Sequence, residues 1–203
     1  SKHNVLENDF LNPNFNEYPS FFYYLENIEE PISTVSIVNW LPIHTHILSG
    51  IVDYAPTESI SDLEVFNSCK EILLNNNPVE GDVIFLHFDE LDGAGHGYGF
   101  SADVEEYRNT LTTIDGYIED LFNIIDTKRG NGEDWMVFIV SDHGGAGTGH
   151  GDADNLHINQ TVFYAQHPNI NFTDYHTTSM ADLAPTILDF LGVSSEKYQC
   201  IKD

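Results

Sequence analysis

Two glycine-rich segments of the chain carry acidic and histidine side chains at spacings that suit a metal ion. The first segment contains Asp92 and His96, which are four residues apart. The second contains Asp142, His143 and His150. Carboxylate oxygens and imidazole nitrogens together form a ligand set for zinc or manganese, and they suit calcium less well. The residue types therefore indicate divalent-metal chemistry.

Each segment follows a nearly continuous apolar run, residues 82–88 for the first and residues 135–140 for the second. Such runs are typical of strands that are buried on both faces of a parallel sheet. Either segment alone is slightly better explained as a solvated loop. Two of them after successive strands predict that the five side chains meet at one sheet edge, where open α/β sheets bind ligands, in a two-metal arrangement.

Periodicity and turn residues predict the elements that must position these side chains. Predicted strands cover residues 34–38, 82–88, 135–140 and 161–165. Predicted helices cover residues 20–30, 59–74, 101–128 and 179–191, and predicted loops cover residues 40–56, 90–99 and 141–151. Buried strands that alternate with helices indicate the α/β class, a three-layer α/β/α sandwich with a mostly parallel sheet, and residues 1–203 are expected to form a single domain.

Charge and composition exclude some partners. The 203 residues include 33 acidic and 7 basic side chains, a net charge of −26, so the chain cannot hold nucleic acid by charge. A hydrophobic fraction of 41% is enough for a core, and no apolar run reaches the roughly 20 residues that would span a bilayer. Cys69 and Cys200 form no C-x-x-C pair. A bound metal would give the carboxylates the cations they lack, and an acidic surface without metal is the simpler alternative.

Three sequence motifs carry a family resemblance. They are E-x-D-x-x-G-H-x-x-G at residues 90–99, S-D-H-G at residues 141–144 and D-x-A-P-T-I-L-x-x-L-G at residues 182–192. Together they resemble the alkaline phosphatase superfamily and, within it, the type I phosphodiesterase and nucleotide pyrophosphatase group. The resemblance covers nearly the whole chain and implies an alkaline phosphatase-like fold.

The resemblance also implies roles for individual residues. Asp92, His96 and His150 match the three ligands of one zinc ion, while Asp142 and His143 match two ligands of a second. His157 competes with His150 for the place of third ligand, because the spacing from D-H-G to His150 is more like that of sulfatases. The glycines that flank His150 favour His150 as the third ligand.

The family's nucleophile, a Thr or Ser, and its remaining Asp ligand have no counterpart that we can identify in this chain. Residues 3–10 resemble an H-G-V-x-x-N-x-F stretch that lies just downstream of the nucleophile, with Asn4 in place of the glycine. We therefore expect the chain to begin after the nucleophile, as the C-terminal part of a larger catalytic domain. Alone, it is expected to give no covalent turnover.

The activity that the resemblance implies is hydrolysis of small-molecule phosphate esters with two divalent ions, zinc or else manganese. It favours a periplasmic or extracellular location and leaves a cytoplasmic one open. A sulfatase-like enzyme with a single calcium is one alternative, although it leaves Asp92 and His96 without a role. A phosphotransferase or mutase, such as cofactor-independent phosphoglycerate mutase, is another, but mutases usually carry a larger insertion than residues 40–56. The last alternative is an acidic binding or structural domain without catalysis.

The remaining histidines show no motif. His87 lies within a predicted strand and is expected to be a packed core residue. We expect His44, His46, His167 and His176 to be surface or loop residues, with His46 as a possible substrate contact.

Overall fold

The computed structural model describes residues 10–30, 32–48, 50–152, 154–170 and 178–194. They form two compact units, one made of the described residues up to His87 and from Ala181 onward, and one from Phe88 to Met180. The helices are α1 (Phe21–Leu25), α2 (Asp62–Leu73), α3 (Glu90–Tyr98), α4 (Glu105–Gly130), α5 (Leu156–Asn159) and α6 (Leu183–Phe190), and the strands are β1 (Thr34–Val38), β2 (Val83–His87), β3 (Val137–Val140) and β4 (Phe163–Gln166). A π-helical turn covers Ile43–Ile47, and a 3-10 turn covers Met180–Asp182.

The first unit is built on a parallel pair of strands. Strands β1 and β2 pair from Thr34 opposite Val83 to Val38 opposite His87, as the apolar patterns predict. All five residues of β1 are buried. Helix α2 packs against both strands, and it begins at a capping box in which Ser61 and Glu64 bind each other's backbone N–H groups. That cap places the start of the helix at residue 62 rather than 59.

Helices α1 and α6 supply the core of this unit. Phe22 and Leu25 of α1 are almost completely buried and pack with Leu188 of α6, together with Leu48 and Val193. The apolar residues of the predicted helix over 179–191 therefore do face a core. The helix itself is shorter than predicted, because the 3-10 turn precedes it.

His44 is a core residue of the first unit, and the expectation that it lies at the surface is wrong. Its Nε2 lies 2.9 Å from the Ser36 hydroxyl, and its Nδ1 lies 2.9 Å from the Pro56 carbonyl oxygen. The carbonyl only accepts, so Nδ1 carries the proton and Nε2 accepts from the hydroxyl. The ring thereby gives the Ser36 hydroxyl of the fully buried strand β1 a hydrogen-bond partner. The local sequence does not reveal this role. Burial lowers the pKa of His44, although the bond to the Pro56 carbonyl acts in the opposite direction.

The second unit holds an antiparallel pair of strands. Strand β4 pairs with β3 from Val137 opposite Gln166 to Val140 opposite Phe163. The predicted strand over residues 161–165 is present as β4, and its antiparallel pairing departs from the mostly parallel arrangement expected of the sheet. Among the described residues of the 141–162 stretch, the four-residue α5 is the only helix, and a connection without a full crossover helix is typical of antiparallel strands.

Helix α4 packs against α3 and is the longest helix among the described residues. It buries Ile114, Leu121 and Ile125, which belong to the predicted apolar stripe. His167 is also buried, so the expectation that it lies at the surface or in a loop is wrong. Its Nε2 lies 2.7 Å from Asp134, and its Nδ1 accepts from the backbone N–H of Asn169. This bond joins the segment before β3 to the end of β4.

Other expectations have simpler outcomes. His46 is exposed and stacks on Phe10, and His87 is the half-buried last residue of β2. Burial raises the pKa of the Cys69 thiol to about 12. In the part of the chain that is described, no helix has the length and apolar character needed to cross a membrane. His176, Cys200 and all of the 3–10 motif except Phe10 lie outside the described residues.

Because its pKa is lowered, His44 should make the fold less stable in mild acid. Between the lowered pKa and about 6.5, the unfolded chain binds more protons than the folded chain, so the free energy of unfolding falls as the pH decreases through that window. Above the window, the contribution is fully present. Urea unfolding from about pH 7.5 to pH 5 should show a smaller decrease in His44→Gln than in the wild type. The matched control, His46→Gln, should keep the wild-type decrease, and an equal decrease in all three proteins would contradict the prediction.

Candidate metal centre

The first candidate pair lies on a helix and not in a loop. Residues 90–98 form α3, which ends at Gly99 with a φ of 123°, where the Gly99 N–H donates to the carbonyl of Gly95. The prediction of a loop gave the glycines too much weight, because each costs only about 1 kcal/mol in a helix and packing against α4 can offset that. The helix places residues four apart on one face, so Asp92 Oδ2 lies 3.4 Å from His96 Nε2.

A tight turn brings His150 to the same place. Ala146 and Gly149 exchange two backbone hydrogen bonds of 2.9 and 3.2 Å. Gly147, at the first corner, has a φ of 60°, the signature of a type II′ turn. The Gly147 carbonyl accepts from the N–H of Phe100 at 2.7 Å, which ties the turn to the end of α3. Within unit 2, the turn thus holds Thr148 and His150 beside His96.

Asp92, His96 and His150 form a triangle of ligand atoms. Besides the 3.4 Å edge above, His96 Nε2 lies 3.1 Å from His150 Nε2, which lies 3.6 Å from Asp92 Oδ1. A tetrahedral ion with bonds of 2.0–2.1 Å needs ligand atoms about 3.3 Å apart. The three side chains form the group of possible metal ligands that the described residues provide. The three separations, which involve both oxygens of Asp92, are thus close to those between the ligands of a zinc ion.

Backbone carbonyls fix which ring nitrogens face this triangle. His96 Nδ1 lies 2.9 Å from the Thr148 carbonyl oxygen, and His143 Nδ1 lies 2.9 Å from that of Gly144. A carbonyl only accepts, so both Nδ1 atoms carry the proton and the neutral rings keep a lone pair on Nε2. Bonds of this kind orient metal-binding histidines in proteins. The Thr148 carbonyl is a contributor that the sequence analysis missed.

No lysine or arginine among the described residues of unit 2 supplies a cation to the Asp92 carboxylate. Its Oδ1 is buried and has no hydrogen-bond partner among the residues that the structure describes. Unit 2 contains three basic residues, and all are engaged elsewhere: Arg108 with the Ala102 carbonyl, Lys128 with Glu133, and Arg129 with Asp126 and the Trp135 carbonyl. A buried carboxylate oxygen without a partner is costly. The donor set and the unsatisfied oxygen therefore fit a divalent ion.

The second predicted pair lies beside this triangle. The His143 ring stacks on that of His150 with centroids 3.8 Å apart, and its Nε2 is 4.0 Å from Asp92 Oδ1 and 3.6 Å from Asp142 Oδ2. The Asp142 side chain is 78% exposed. His143 is thus close to the group, and neither it nor Asp142 belongs to it.

His157, the rival of His150, is exposed and does not belong to the triangle among the described residues. Its backbone has a different role. The Gly144 N–H donates to the Ile158 carbonyl at 2.7 Å, and a Cβ on Gly144 would overlap the carbonyl oxygen of His157. The segment that bears His143 therefore lies so close to α5 that only glycine fits.

An alanine at position 144 should therefore destabilise the protein by about 1–3 kcal/mol, because the methyl group would overlap backbone that cannot rotate away. Denaturant unfolding measures the loss for Gly144→Ala. Gly149→Ala is the matched control, since no atom lies within 4 Å of its Cβ position and its φ is not positive. Equal stabilities of the two variants would contradict the close contact.

Comparison with known proteins identifies the family of the chain. The family model for type I phosphodiesterase / nucleotide pyrophosphatase matches residues 64–186, more than half of the chain. Two curated relatives are 2,3-bisphosphoglycerate-independent phosphoglycerate mutases. The one from Ureaplasma urealyticum is 24% identical over 159 residues, which are 74% of this chain and 30% of the relative. The one from Metamycoplasma hominis is 27% identical over 153 residues, which are 72% of this chain and 28% of the relative.

The chain thus spans less than a third of the length of these relatives. No solved structure matches it. The matched region contains both strand-end motifs, and it therefore includes every side chain of the triangle. The chain belongs to the type I phosphodiesterase / nucleotide pyrophosphatase family of the alkaline phosphatase superfamily.

Proposed function

We propose that the protein is a metal-dependent hydrolase of phosphate esters, of the phosphodiesterase or pyrophosphatase type, with a two-metal site. The triangle of Asp92, His96 and His150 is the observation that carries the proposal. Membership of the family supports it, because members of the superfamily use divalent metal ions. Zinc suits the donor set best, and manganese is the alternative ion.

Each ligand has an assigned place in this proposal. Asp92, His96 and His150 hold the first ion, and Asp142 and His143 contribute to the second. When bound, such ions polarise phosphoryl oxygens and activate the attacking hydroxyl group. No residue of the chain is assigned as the nucleophile.

The chain's own groups prepare the site before any substrate arrives. The carbonyls of Thr148 and Gly144 keep the His96 and His143 rings in one tautomer. The charge of Asp92 remains poorly compensated, so a cation is attracted to it. The exposed Asp142 lies at the solvent side, where an ester could approach.

We also infer that residues 1–203 belong to one alkaline phosphatase-like domain, a three-layer α/β/α sandwich. The parallel pair β1–β2, with α2 packed on it, supports this architecture. The family model supports it too, because its match begins in the first unit and extends beyond the second.

A phosphoglycerate mutase activity is the second candidate, and the names of the two curated relatives favour it. Both activities use metal-assisted phosphoryl transfer, so the triangle serves either. Assays of the full-length protein with bis(p-nitrophenyl) phosphate and with 3-phosphoglycerate separate them. Release of nitrophenol without formation of 2-phosphoglycerate supports the hydrolase, and the reverse result supports the mutase.

Removal of a triangle ligand should weaken zinc binding more than 100-fold, because loss of an outer partner alone typically costs 10–100-fold. Isothermal titration of the metal-free protein with zinc measures this for Asp92→Asn, His96→Ala and His150→Ala. Asp142→Ala should keep the tight zinc-binding step of the first ion and remove a weaker step that belongs to the second ion.

His157→Ala is the matched control, as an exposed histidine in the same unit, and it should bind zinc as the wild type does. A large loss in that variant with an unchanged His150→Ala would transfer the ligand role to His157. Wild-type affinity in all the triangle variants would refute the metal site.

A further inference from the structure

One aromatic ring contacts each segment that builds the triangle. Phe100 follows the end of α3, and its ring is T-shaped to His96 at 5.4 Å and to His150 at 6.1 Å between centroids. A third T-shaped contact, at 5.8 Å, joins it to Tyr107 of α4. The ring therefore contacts the helix that bears one ligand, the residue after the turn that bears another, and the long helix behind them.

Two glycines make room for this ring. A Cβ on Gly95 would overlap its edge at Cε1 and Cδ1, and a Cβ on Gly145 would overlap it at Cγ and Cδ1. Gly95 lies in α3 and Gly145 in the segment before the turn, so the same ring edge lies against both. A backbone hydrogen bond also joins the end of α3 to the turn, since the Phe100 N–H donates to the Gly147 carbonyl. The half-buried Phe100 ring thus lies against both chain segments.

The Phe100 ring contacts both of the chain segments that carry the two ligand nitrogens. Helix α3 and the 144–150 segment are separate stretches of chain, and the 3.1 Å between His96 Nε2 and His150 Nε2 depends on their spacing. T-shaped contacts also orient the imidazole planes, because the positive edge of one ring faces the negative face of the other. A smaller side chain would fill the space without fixing either spacing or orientation.

We propose that Phe100 is a positioning residue that sets the distance and orientation of His96 and His150 for the metal ion. This inference rests on the proposed metal site. It assigns to Phe100 a role beyond core packing, because the ring acts on the ligands through contacts to both of them.

Zinc affinity and the visible spectrum of the cobalt-substituted protein test the role of Phe100. In Phe100→Leu, zinc affinity should fall about 10–100-fold, and the cobalt bands should shift or weaken as the coordination geometry changes. Phe122→Leu is the matched control. It removes an aromatic ring that contacts Tyr164, and it lies 15 residues beyond Tyr107, about 22 Å along α4. It should cost stability while leaving zinc affinity and the cobalt spectrum unchanged.

Gly95→Ala provides a second variant should Phe100→Leu fail to fold, because it displaces the ring without removing it. Its zinc affinity should also fall, and the double variant Gly95→Ala/Phe100→Leu should regain stability but not affinity. Wild-type affinity and spectrum in folded Phe100→Leu or Gly95→Ala would overturn the positioning role while leaving the metal site intact. Absence of zinc binding by the wild type would overturn the proposed function and this inference with it.

Discussion

A single carboxylate surrounded by imidazole nitrogens is the constraint on which the candidate site depends. The two oxygens of Asp92 lie 3.4, 3.6 and 4.0 Å from the Nε2 atoms of His96, His150 and His143. The His96 and His143 rings each donate the N–H of Nδ1 to a backbone carbonyl. In the neutral state, their Nε2 atoms therefore offer the carboxylate a lone pair rather than a proton. Acceptors then face an acceptor, an arrangement that a cation stabilises and that is otherwise unfavourable.

The local backbone holds these four side chains close together. Helix α3 places Asp92 and His96 on one face, and the type II′ turn at Gly147 directs His150 toward them. Glycines allow the close approach where any side chain would collide, against a ring at position 95 and against backbone at position 144. Such packing leaves little freedom for the ligands to relax away from each other, and preorganisation of this kind is what a metal site requires.

Sequence reasoning was most successful where one physical pattern dominated. The β-branched run at residues 34–38 gave the bounds of β1, and the apolar stripe of α4 gave its buried face. Its errors arose where tertiary contacts decided the outcome. Glycines made residues 90–99 resemble a loop, and the packing that keeps them helical involves side chains of α4, which no pattern within residues 90–99 reveals.

The buried histidines show the same limit. His44 is held by Ser36 and Pro56, and His167 by Asp134, so each partner is at least eight residues away in sequence. No local spacing predicts such pairs. Strand ends and motifs indicated five candidate residues, of which Asp92, His96 and His150 lie together, but the Thr148 carbonyl and the Phe100 ring carry no motif and became visible only with the fold. Most of the acidic side chains lie outside the site, and nothing in the structure explains the net charge of −26.

The most direct test of the central claim is anomalous diffraction at the zinc absorption edge from crystals of the protein grown with zinc. We predict a strong peak within bonding distance, about 2.0–2.2 Å, of Asp92 and of the Nε2 atoms of His96 and His150. Crystals of the zinc-equilibrated protein that show no peak between these three side chains, or a peak bound by His157 in place of His150, would contradict it.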